Sequence, residues 1–404
     1  MEIRTCRSSD ELRDAVAALT HYFARERPDE AWAGRWLENF DLERMHAAVD
    51  GEAIVGGAGA FSFRMTVPGG AVLPCAGVTV VGVLPTHRRR GILRSMMRAQ
   101  LDDVHERGEP IATLFASEET IYGRYGYGLA SLNLAVEIPK AMSRFRPGIE
   151  PIGSVRLVAA DEAARLLPPV YDAVRAVTPG MFERPASWWE HRTVSDPPEV
   201  RYGGGPKSFA VLELDGEPLG YAIYRLNSTF GDLGPETTVR AIETLGATPE
   251  ATVSIWRFLL DIDWTKAVTT FLMPVDHPLF LLFERPNHSR PTLGDGLWLR
   301  LVDVGAALSG RTYAAGGRLV FDVADGFCPW NEGRWALEDG AASRTDAEAD
   351  LALDVADLAS VYLGGFTFRE LRRAGRVREL RQGALDRADA MFRTDVAPWC
   401  AEIF

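Results

Sequence analysis

Apolar and polar residues alternate in short blocks along the first 140 residues, with glycine turns between the blocks. The dipeptide Asp50-Gly51 separates two apolar runs, which is a strong signal for a β-hairpin. An apolar run over 72–83 predicts a buried strand, and apolar residues spaced by three and four over 93–104 predict one face of a helix. This order of elements predicts an α/β domain with a mixed sheet.

A stretch rich in proline, glycine and arginine at 139–153 predicts a domain boundary, and residues 287–291 predict a second one. Between them, Asp215-Gly216 separates two apolar runs as in the first hairpin, and a strand, a helix and a strand follow. This segment is interpreted as a degenerate copy of the first domain, although Asp-Gly hairpins also arise without duplication. The rest predicts a small α+β domain, so the expected domains are 1–150, 151–292 and 293–404.

Charge and cysteine content exclude several function classes. Asp and Glu number 56 against 44 Lys and Arg, so the net charge is −12, which disfavours sequence-independent nucleic-acid binding. The 4 cysteines include no pair at the spacing of a zinc or dithiol site, and His191, His277 and His288 lack ligand spacing, so no metal is expected. The sequence has neither an apolar leader nor a run of about 18 apolar residues, so a cytoplasmic protein without a membrane span is expected.

The segment between the long apolar run and the following helix is the clearest candidate for chemistry. Its arginines and Gly91 stand at the predicted start of a helix, where backbone N–H groups and the helix dipole favour an anion. No Gly-Lys-Ser/Thr follows, so it is not a Walker loop, and the later glycines of a dinucleotide fingerprint are missing. The segment is interpreted as a pyrophosphate cradle, the alternative being a solvated basic turn.

This segment resembles the acetyl-CoA loop of the GNAT superfamily of N-acetyltransferases, written Arg/Gln-x-x-Gly-x-Gly/Ala. Arg88 and Gly91 match that pattern, and Leu93 departs from it. The sequence is closely similar to one branch, the enhanced intracellular survival (Eis) acetyltransferases. The similarity spans the chain and rests on five segments, namely Pro-Thr-His-Arg-Arg-Arg-Gly-Ile-Leu-Arg (85–94), Ala-Ser-Glu-Glu-Thr-Ile-Tyr-Gly-Arg-Tyr-Gly-Tyr-Gly (116–128), Gly-Leu-Trp-Leu-Arg (296–300), Ser-Val-Tyr-Leu-Gly-Gly (360–365) and Glu-Ile-Phe (402–404).

The resemblance implies the fold, the cosubstrate and the residues that bind it. It implies two tandem GNAT-like mixed-sheet domains, the second degenerate, and a C-terminal α+β domain like sterol carrier proteins. Acetyl-CoA is the implied cosubstrate. Backbone groups of Val81 and Val83 are implied to hold its pantetheine arm, and Ser117 to lie near its thiol. The residues implied to face its pyrophosphate are Arg88, Arg89, Gly91 and Ile92.

The resemblance also implies two catalytic groups. Tyr122 matches the general acid that protonates the departing thiolate, with Tyr125 and Tyr127 as rivals. The terminal carboxylate of Phe404 matches the base that takes the amine proton. The family further implies a homo-oligomer, a hexamer.

These residues predict an acetyl-CoA-dependent N-acetyltransferase. The acceptor is expected to be a cationic amine, either an aminoglycoside-like molecule, a polyamine or a lysine side chain, which suits the acidic composition and Glu402 beside the terminal carboxylate. The alternative is a non-catalytic protein that binds CoA or an apolar ligand and carries a relict GNAT core.

Overall fold

The computed structural model describes residues 1–231 and 234–404. The strands are β1 (Glu2–Thr5), β2 (Met45–Asp50), β3 (Ala53–Thr66), β4 (Val72–Val83), β5 (Ile111–Phe115), β6 (Gly128–Leu129), β7 (Leu132–Pro139), β8 (Ser154–Val158), β9 (Ser208–Leu214), β10 (Glu217–Asn227), β11 (Phe230–Gly231), β12 (Gly234–Pro235), β13 (Thr237–Gly246), β14 (Thr265–Pro274), β15 (Thr292–Asp295), β16 (Leu297–Leu301), β17 (Arg318–Ala324), β18 (Gly333–Glu338), β19 (Ala341–Arg344), β20 (Leu351–Asp354) and β21 (Val377–Glu379). The α-helices are α1 (Ser9–Thr20), α2 (Glu30–Leu37), α3 (Ile92–Glu106), α4 (Glu119–Tyr122), α5 (Ala160–Arg175), α6 (Ala186–Trp188), α7 (Pro249–Asp261), α8 (Leu279–Leu282), α9 (Val304–Ser309), α10 (Val355–Tyr362), α11 (Phe368–Arg373) and α12 (Ala384–Phe392).

The chain divides into two compact units. The first contains residues 1–131, 296–398 and 403–404, and the second contains 132–295 and 399–402. Each unit holds one seven-stranded mixed sheet, and the first unit also holds a five-stranded sheet in the order β19-β18-β17-β20-β21. The α/β and α+β layers predicted from the sequence are therefore present.

The first seven-stranded sheet has the order β1-β2-β3-β4-β5-β16-β6. Strands β1 to β4 are antiparallel neighbours, whereas β4 and β5 run parallel and pair only over Cys75–Gly77 and Ile111–Thr113. The two parallel strands therefore separate well before β4 ends. Helix α3 follows β4 and buries Met97, Leu101 and Val104, which are three of the four residues of the predicted apolar face.

The second seven-stranded sheet repeats this arrangement. Its order is β15-β7-β14-β13-β10-β9-β8, in which β13 and β14 are again a parallel pair inside otherwise antiparallel strands. Helix α5 follows β8 as α1 follows β1, and α7 follows β13 as α3 follows β4. The internal repeat read from the two Asp-Gly hairpins is thus also a repeat of strand order.

The boundaries predicted at 150 and 292 do not coincide with the division between these sheets. Strand β7 lies before residue 150, yet it pairs with β14 and β15 of the second sheet. Strand β16 lies after residue 292, yet it pairs with β5 and β6 of the first sheet. The Pro- and Gly-rich stretch that suggested the first boundary follows a strand of the second sheet, because local composition does not record which strands pair.

Candidate active site

Strand β4 contains a bulge close to its carboxyl end. Gly57 pairs with Gly82 and Gly59 pairs with Thr79, so Val80 and Val81 together face the single residue Ala58. Val80 has a φ of 46°, which is a strained, left-handed conformation for a β-branched residue. A bulge of this kind bends a strand and redirects the groups that follow it.

After the bulge, the backbone of Val83 faces away from β3. The Leu84 N–H donates to the Val55 carbonyl at 2.8 Å, and Gly56 is the antiparallel partner of Val83. In an antiparallel ladder, hydrogen-bonded and non-bonded pairs alternate, so the Gly56–Val83 pair is of the non-bonded kind. The N–H and C=O of Val83 therefore point to the side from which β5 has separated, where an extended ligand can pair with them.

The loop from β4 to α3 presents backbone donors to an anion. Arg89 and Gly91 have φ values of 62° and 80°, and Gly91 is the N-cap of α3 without a side-chain hydrogen bond to the first turn. Left-handed residues ahead of an uncapped helix start form a concave set of N–H groups that suits phosphate. A Cβ added at Gly91 would meet nothing within 4 Å, so the space beside it is open.

The side chains around this helix start divide into two groups. Arg88, Arg89 and Arg90 are exposed and add positive charge to the loop. The Ile92 side chain is buried with Val83 in one apolar cluster, so only the backbone N–H of Ile92 is a candidate for contact with a ligand. The structure thus places the predicted CoA-binding residues of β4, the loop and α3 on one continuous segment.

Helix α4 places Tyr122 next to β4. Its side chain is 9% exposed and belongs to the same apolar cluster as Val78, with Val81 packed against that cluster. The ring of Tyr127 lies 6.0 Å from that of Tyr122 in an edge-to-face contact. Ser117 is exposed in the short segment between β5 and α4.

Burial separates Tyr122 from its rivals. Desolvation, with smaller contributions from Tyr125 and Glu118, raises the pKa of Tyr122 to about 12, so the phenol is protonated at neutral pH and can donate. Tyr127 is 0% exposed, its hydroxyl has no hydrogen-bond partner among the described residues, and burial raises its pKa further. Tyr125 is 2% exposed and packs edge-to-face on Phe327. Of the three, Tyr122 is the one with surface left for a substrate.

The chain end lies among aromatic rings. The ring of Phe404 contacts Phe63 of β3 at 5.0 Å and Phe115 at the end of β5 at 5.7 Å, both edge to face. Phe63 in turn stacks on Phe61 at 5.4 Å. These contacts anchor the last residue at the carboxyl end of β5, the strand that leads to Ser117 and Tyr122.

Glu402 does not add free negative charge, contrary to the expectation from the sequence. Within the second unit its carboxylate accepts hydrogen bonds from Nε of Arg184 at 2.7 Å and from Nε1 of Trp188 at 2.8 Å. Arg184 also pairs with Glu243 at 2.6 Å. The charge of Glu402 is therefore balanced by a buried guanidinium rather than offered to an acceptor.

Two features of the site escaped sequence reasoning. The bulge at Val80 has no composition signal, since valine is an ordinary strand residue. Tyr22 lies in the turn His21–Phe23 after α1, and its hydroxyl donates to the Val83 carbonyl at 2.6 Å. No local sequence pattern predicts a contact between residues that are 61 positions apart.

Neither a metal cluster nor a membrane-spanning helix is found in the described part of the chain. No group of three His, Cys, Asp or Glu side chains in residues 1–231 and 234–404 could hold a metal ion. No helix in the described part of the chain is long and apolar enough to cross a membrane.

Comparison with known families assigns all three parts of the chain. Profiles of two acetyltransferase (GNAT) domain families match residues 2–130 and 180–301, and a profile of the sterol carrier protein domain matches 304–401. The predicted fold class, two tandem GNAT domains followed by a sterol-carrier-like domain, is confirmed.

Individual relatives narrow the family. A protein of Streptomyces avermitilis described as an uncharacterized N-acetyltransferase is 44% identical over 90% of both chains. The N-acetyltransferase Eis of Mycobacterium tuberculosis is 36% identical over 95% of this chain and 93% of its own. The crystal structure of Eis1 from Mycobacterium abscessus superposes with a TM-score of 0.85 at 32% identity and covers 100% of both chains.

Proposed function

Since the chain belongs to the Eis family of GNAT N-acetyltransferases, and is an N-acetyltransferase on that ground, we propose that it moves the acetyl group of acetyl-CoA to a primary amine of a cationic acceptor. The observation that carries this proposal is the bulged strand β4 running into the uncapped start of α3. Backbone groups of Val83 and of the loop before Ile92 stand in line there, as an extended pantetheine diphosphate requires.

Acetyl-CoA is proposed to bind along this line. Backbone groups of Val81 and Val83 would take the amides of the pantetheine arm. The N–H groups of Gly91 and Ile92, with the guanidinium groups of Arg88 and Arg89, would take the pyrophosphate. Ser117 would be a minor polar contact near the thiol.

The proposed transfer is direct. The Phe404 carboxylate removes a proton from the ammonium group, and the neutral nitrogen then attacks the thioester carbonyl carbon. A C–N bond forms, the carbonyl re-forms, and the C–S bond breaks. The thiolate takes the proton of the Tyr122 hydroxyl, and the resulting phenolate recovers a proton that the nitrogen releases.

The acceptor is proposed to be an aminoglycoside-like molecule, a polyamine or a lysine side chain. The ring of Phe404 contacts Phe63 and Phe115, which anchors the residue whose terminal carboxylate would pair with an ammonium group of the acceptor. The hexamer that the family resemblance implies, and the cytoplasmic location and three-domain division predicted from the sequence, stay predictions.

Thiol release from acetyl-CoA tests the proposal. The protein would be assayed with a polyamine, an aminoglycoside, a lysine-containing peptide and a neutral aromatic amine, and products would be weighed by mass spectrometry. The expected result is release with at least one polycation and an acetyl-sized mass gain on its amine. Absence of release with every amine would overturn the proposal in favour of a relict core, and calorimetry would then show whether that core still binds CoA.

A further inference from the structure

Tyr22 touches both halves of the proposed CoA site. It lies in the short turn His21–Phe23 after α1, and its side chain is 45% exposed. Its hydroxyl donates to the carbonyl of Val83 at 2.6 Å. The guanidinium carbon of Arg88 lies 5.9 Å from the centre of its ring, within the range of a cation–π contact.

The hydrogen bond falls on the open side of β4. The N–H and C=O of Val83 face away from β3, so the Tyr22 hydroxyl meets β4 on the side along which an extended ligand would run. A carbonyl oxygen has two lone pairs, so the Val83 oxygen can keep the Tyr22 bond and still accept from a ligand amide. Tyr22 therefore lies beside the ligand path without filling the acceptor it holds.

The backbone holds the Tyr22 turn close to β4. A Cβ added at Gly82 would stand 2.9 Å from the Cα of Leu19. The end of α1 can approach β4 this closely because residue 82 has no side chain. The position of Tyr22, three residues later, thus follows from a close packing of two backbones and not from a mobile side chain alone.

We propose that Tyr22 is a positioning residue for acetyl-CoA. Its hydroxyl fixes the orientation of the Val83 peptide group that receives the pantetheine arm, and its ring holds Arg88 near the pyrophosphate. This inference rests on the proposed function. Part of the affinity of the protein for acetyl-CoA would then come from a residue outside the Arg-x-x-Gly segment. The competing explanation is that Tyr22 only fastens α1 to the sheet.

The test measures CoA affinity by calorimetry and KM for acetyl-CoA against kcat in Tyr22→Phe and Tyr22→Leu. Tyr22→Phe removes one neutral hydrogen bond and is expected to raise Kd and KM about 2- to 10-fold, with kcat within about twofold. Tyr22→Leu also removes the ring and is expected to raise both by a further ~2- to 5-fold. Tyr224→Phe is the matched control, because it removes a buried hydroxyl of the second sheet, bonded to Ser208, and is expected to leave Kd unchanged.

Double variants separate the two roles. Combining Tyr22→Leu with Arg88→Ala is expected to weaken CoA binding by less than the product of the single effects, whereas the combination with Arg89→Ala is expected to be multiplicative. Multiplicative effects with both arginines would overturn the role of the ring.

Wild-type affinity in both Tyr22 variants, or a loss of thermal stability with unchanged Kd, would overturn the inference while leaving the proposed function intact. Wild-type protein that binds no CoA would overturn both.

Discussion

The two seven-stranded sheets carry the same strand–loop–helix unit, and they differ in how the helix begins. Both central strands are bulged: β4 at Val80 and β13 at Ile242, since Ile223 pairs with Glu243 and Tyr224 pairs with Ala241. In the first sheet Gly91 leaves the start of α3 without a side-chain cap. In the second sheet the Thr248 hydroxyl accepts from the N–H of Ala251 at 3.2 Å, and Pro249 supplies no N–H at all.

This comparison separates what the fold supplies from what the loop supplies. The bulge belongs to the fold, because both copies keep it. The proposed anion site depends on a few residues at the start of the helix. In the second copy a hydroxyl satisfies one N–H group of the helix start and a proline removes another, although the strands have kept their order.

The interior beside the bulge differs as well. The first residue after the bulge is Gly82 in β4 and Glu243 in β13. Glu243 is buried, pairs with Arg184 at 2.6 Å and accepts a hydrogen bond from the Tyr221 hydroxyl. At this place the first sheet lets the backbone of α1 approach β4, whereas the second sheet holds an internal ion pair. Helix α8 follows β14 as α4 follows β5. Leu282 is the last residue of α8, and Tyr122 is the last residue of α4.

If the chemistry depends on the first unit and on the chain end within it, blocking that end should have the largest effect. Adding residues after Phe404 replaces the terminal carboxylate by a peptide bond and is expected to abolish transfer, while CoA affinity and the thermal midpoint stay near wild type. The same extension at the N-terminus is the control. Full turnover by a C-terminally tagged protein would rule out the carboxylate as base.

The next effect concerns the residue that distinguishes α4 from α8. Tyr122→Phe keeps the ring and removes the proton donor, so kcat is expected to fall by about 10²- to 10⁴-fold with little change in CoA affinity. Tyr127→Phe is the control, because the Tyr127 hydroxyl is buried away from solvent. A larger loss in Tyr127→Phe than in Tyr122→Phe would mean that the acid has been assigned to the wrong tyrosine.

The proton state of Tyr122 gives a related expectation for pH. Because burial raises its pKa to about 12, the acid form persists through the whole neutral and moderately alkaline range. A profile of kcat against pH in the wild type should therefore show no fall from this group below about pH 10. An alkaline limb at lower pH that disappears in Tyr122→Phe would contradict the raised pKa.

A smaller effect is expected from the charges of the loop. Arg88→Ala and Arg89→Ala each remove charge-assisted bonds to a pyrophosphate, expected to cost about 1.5–3 kcal/mol of CoA binding free energy, or roughly 10- to 150-fold in Kd. Arg257→Ala, on α7 of the second sheet, is the matched control and is expected to leave Kd unchanged. Equal CoA affinity in all three variants would mean that Arg88 and Arg89 do not bind the pyrophosphate.

The sequence predicted the repeated elements because they depend on local patterns, and the same kind of pattern gives the candidate site segments, which stay predictions. Apolar spacing places α3, and an Asp-Gly turn marks each hairpin. The arginines before Gly91 identify the anion loop, and the resemblance supplies Tyr122 and Phe404. What it missed depends on contacts far apart in sequence: the pairing of β7 with the second sheet and of β16 with the first, the Tyr22–Val83 bond, and the pairing of Glu402 with Arg184. Such contacts are set by tertiary packing, which overrides local composition.

The smallest expected effects come from replacing the N-cap residue of each helix, Gly91 of α3 and Thr248 of α7, by alanine. Gly91→Ala places a side chain at φ 80° in open space, so the fold should persist with a loss of about 1–2 kcal/mol from backbone strain. Thr248→Ala removes the cap of α7 and should lower the free energy of unfolding by about 1 kcal/mol. Two variants of similar stability can then be compared for CoA binding by calorimetry. Only Gly91→Ala is expected to raise Kd, by about fivefold or more, because the strain falls on the conformation that the pyrophosphate needs. A rise in Kd for Thr248→Ala, or none for Gly91→Ala, would mean that the difference between the two sheets does not lie at the start of the helix.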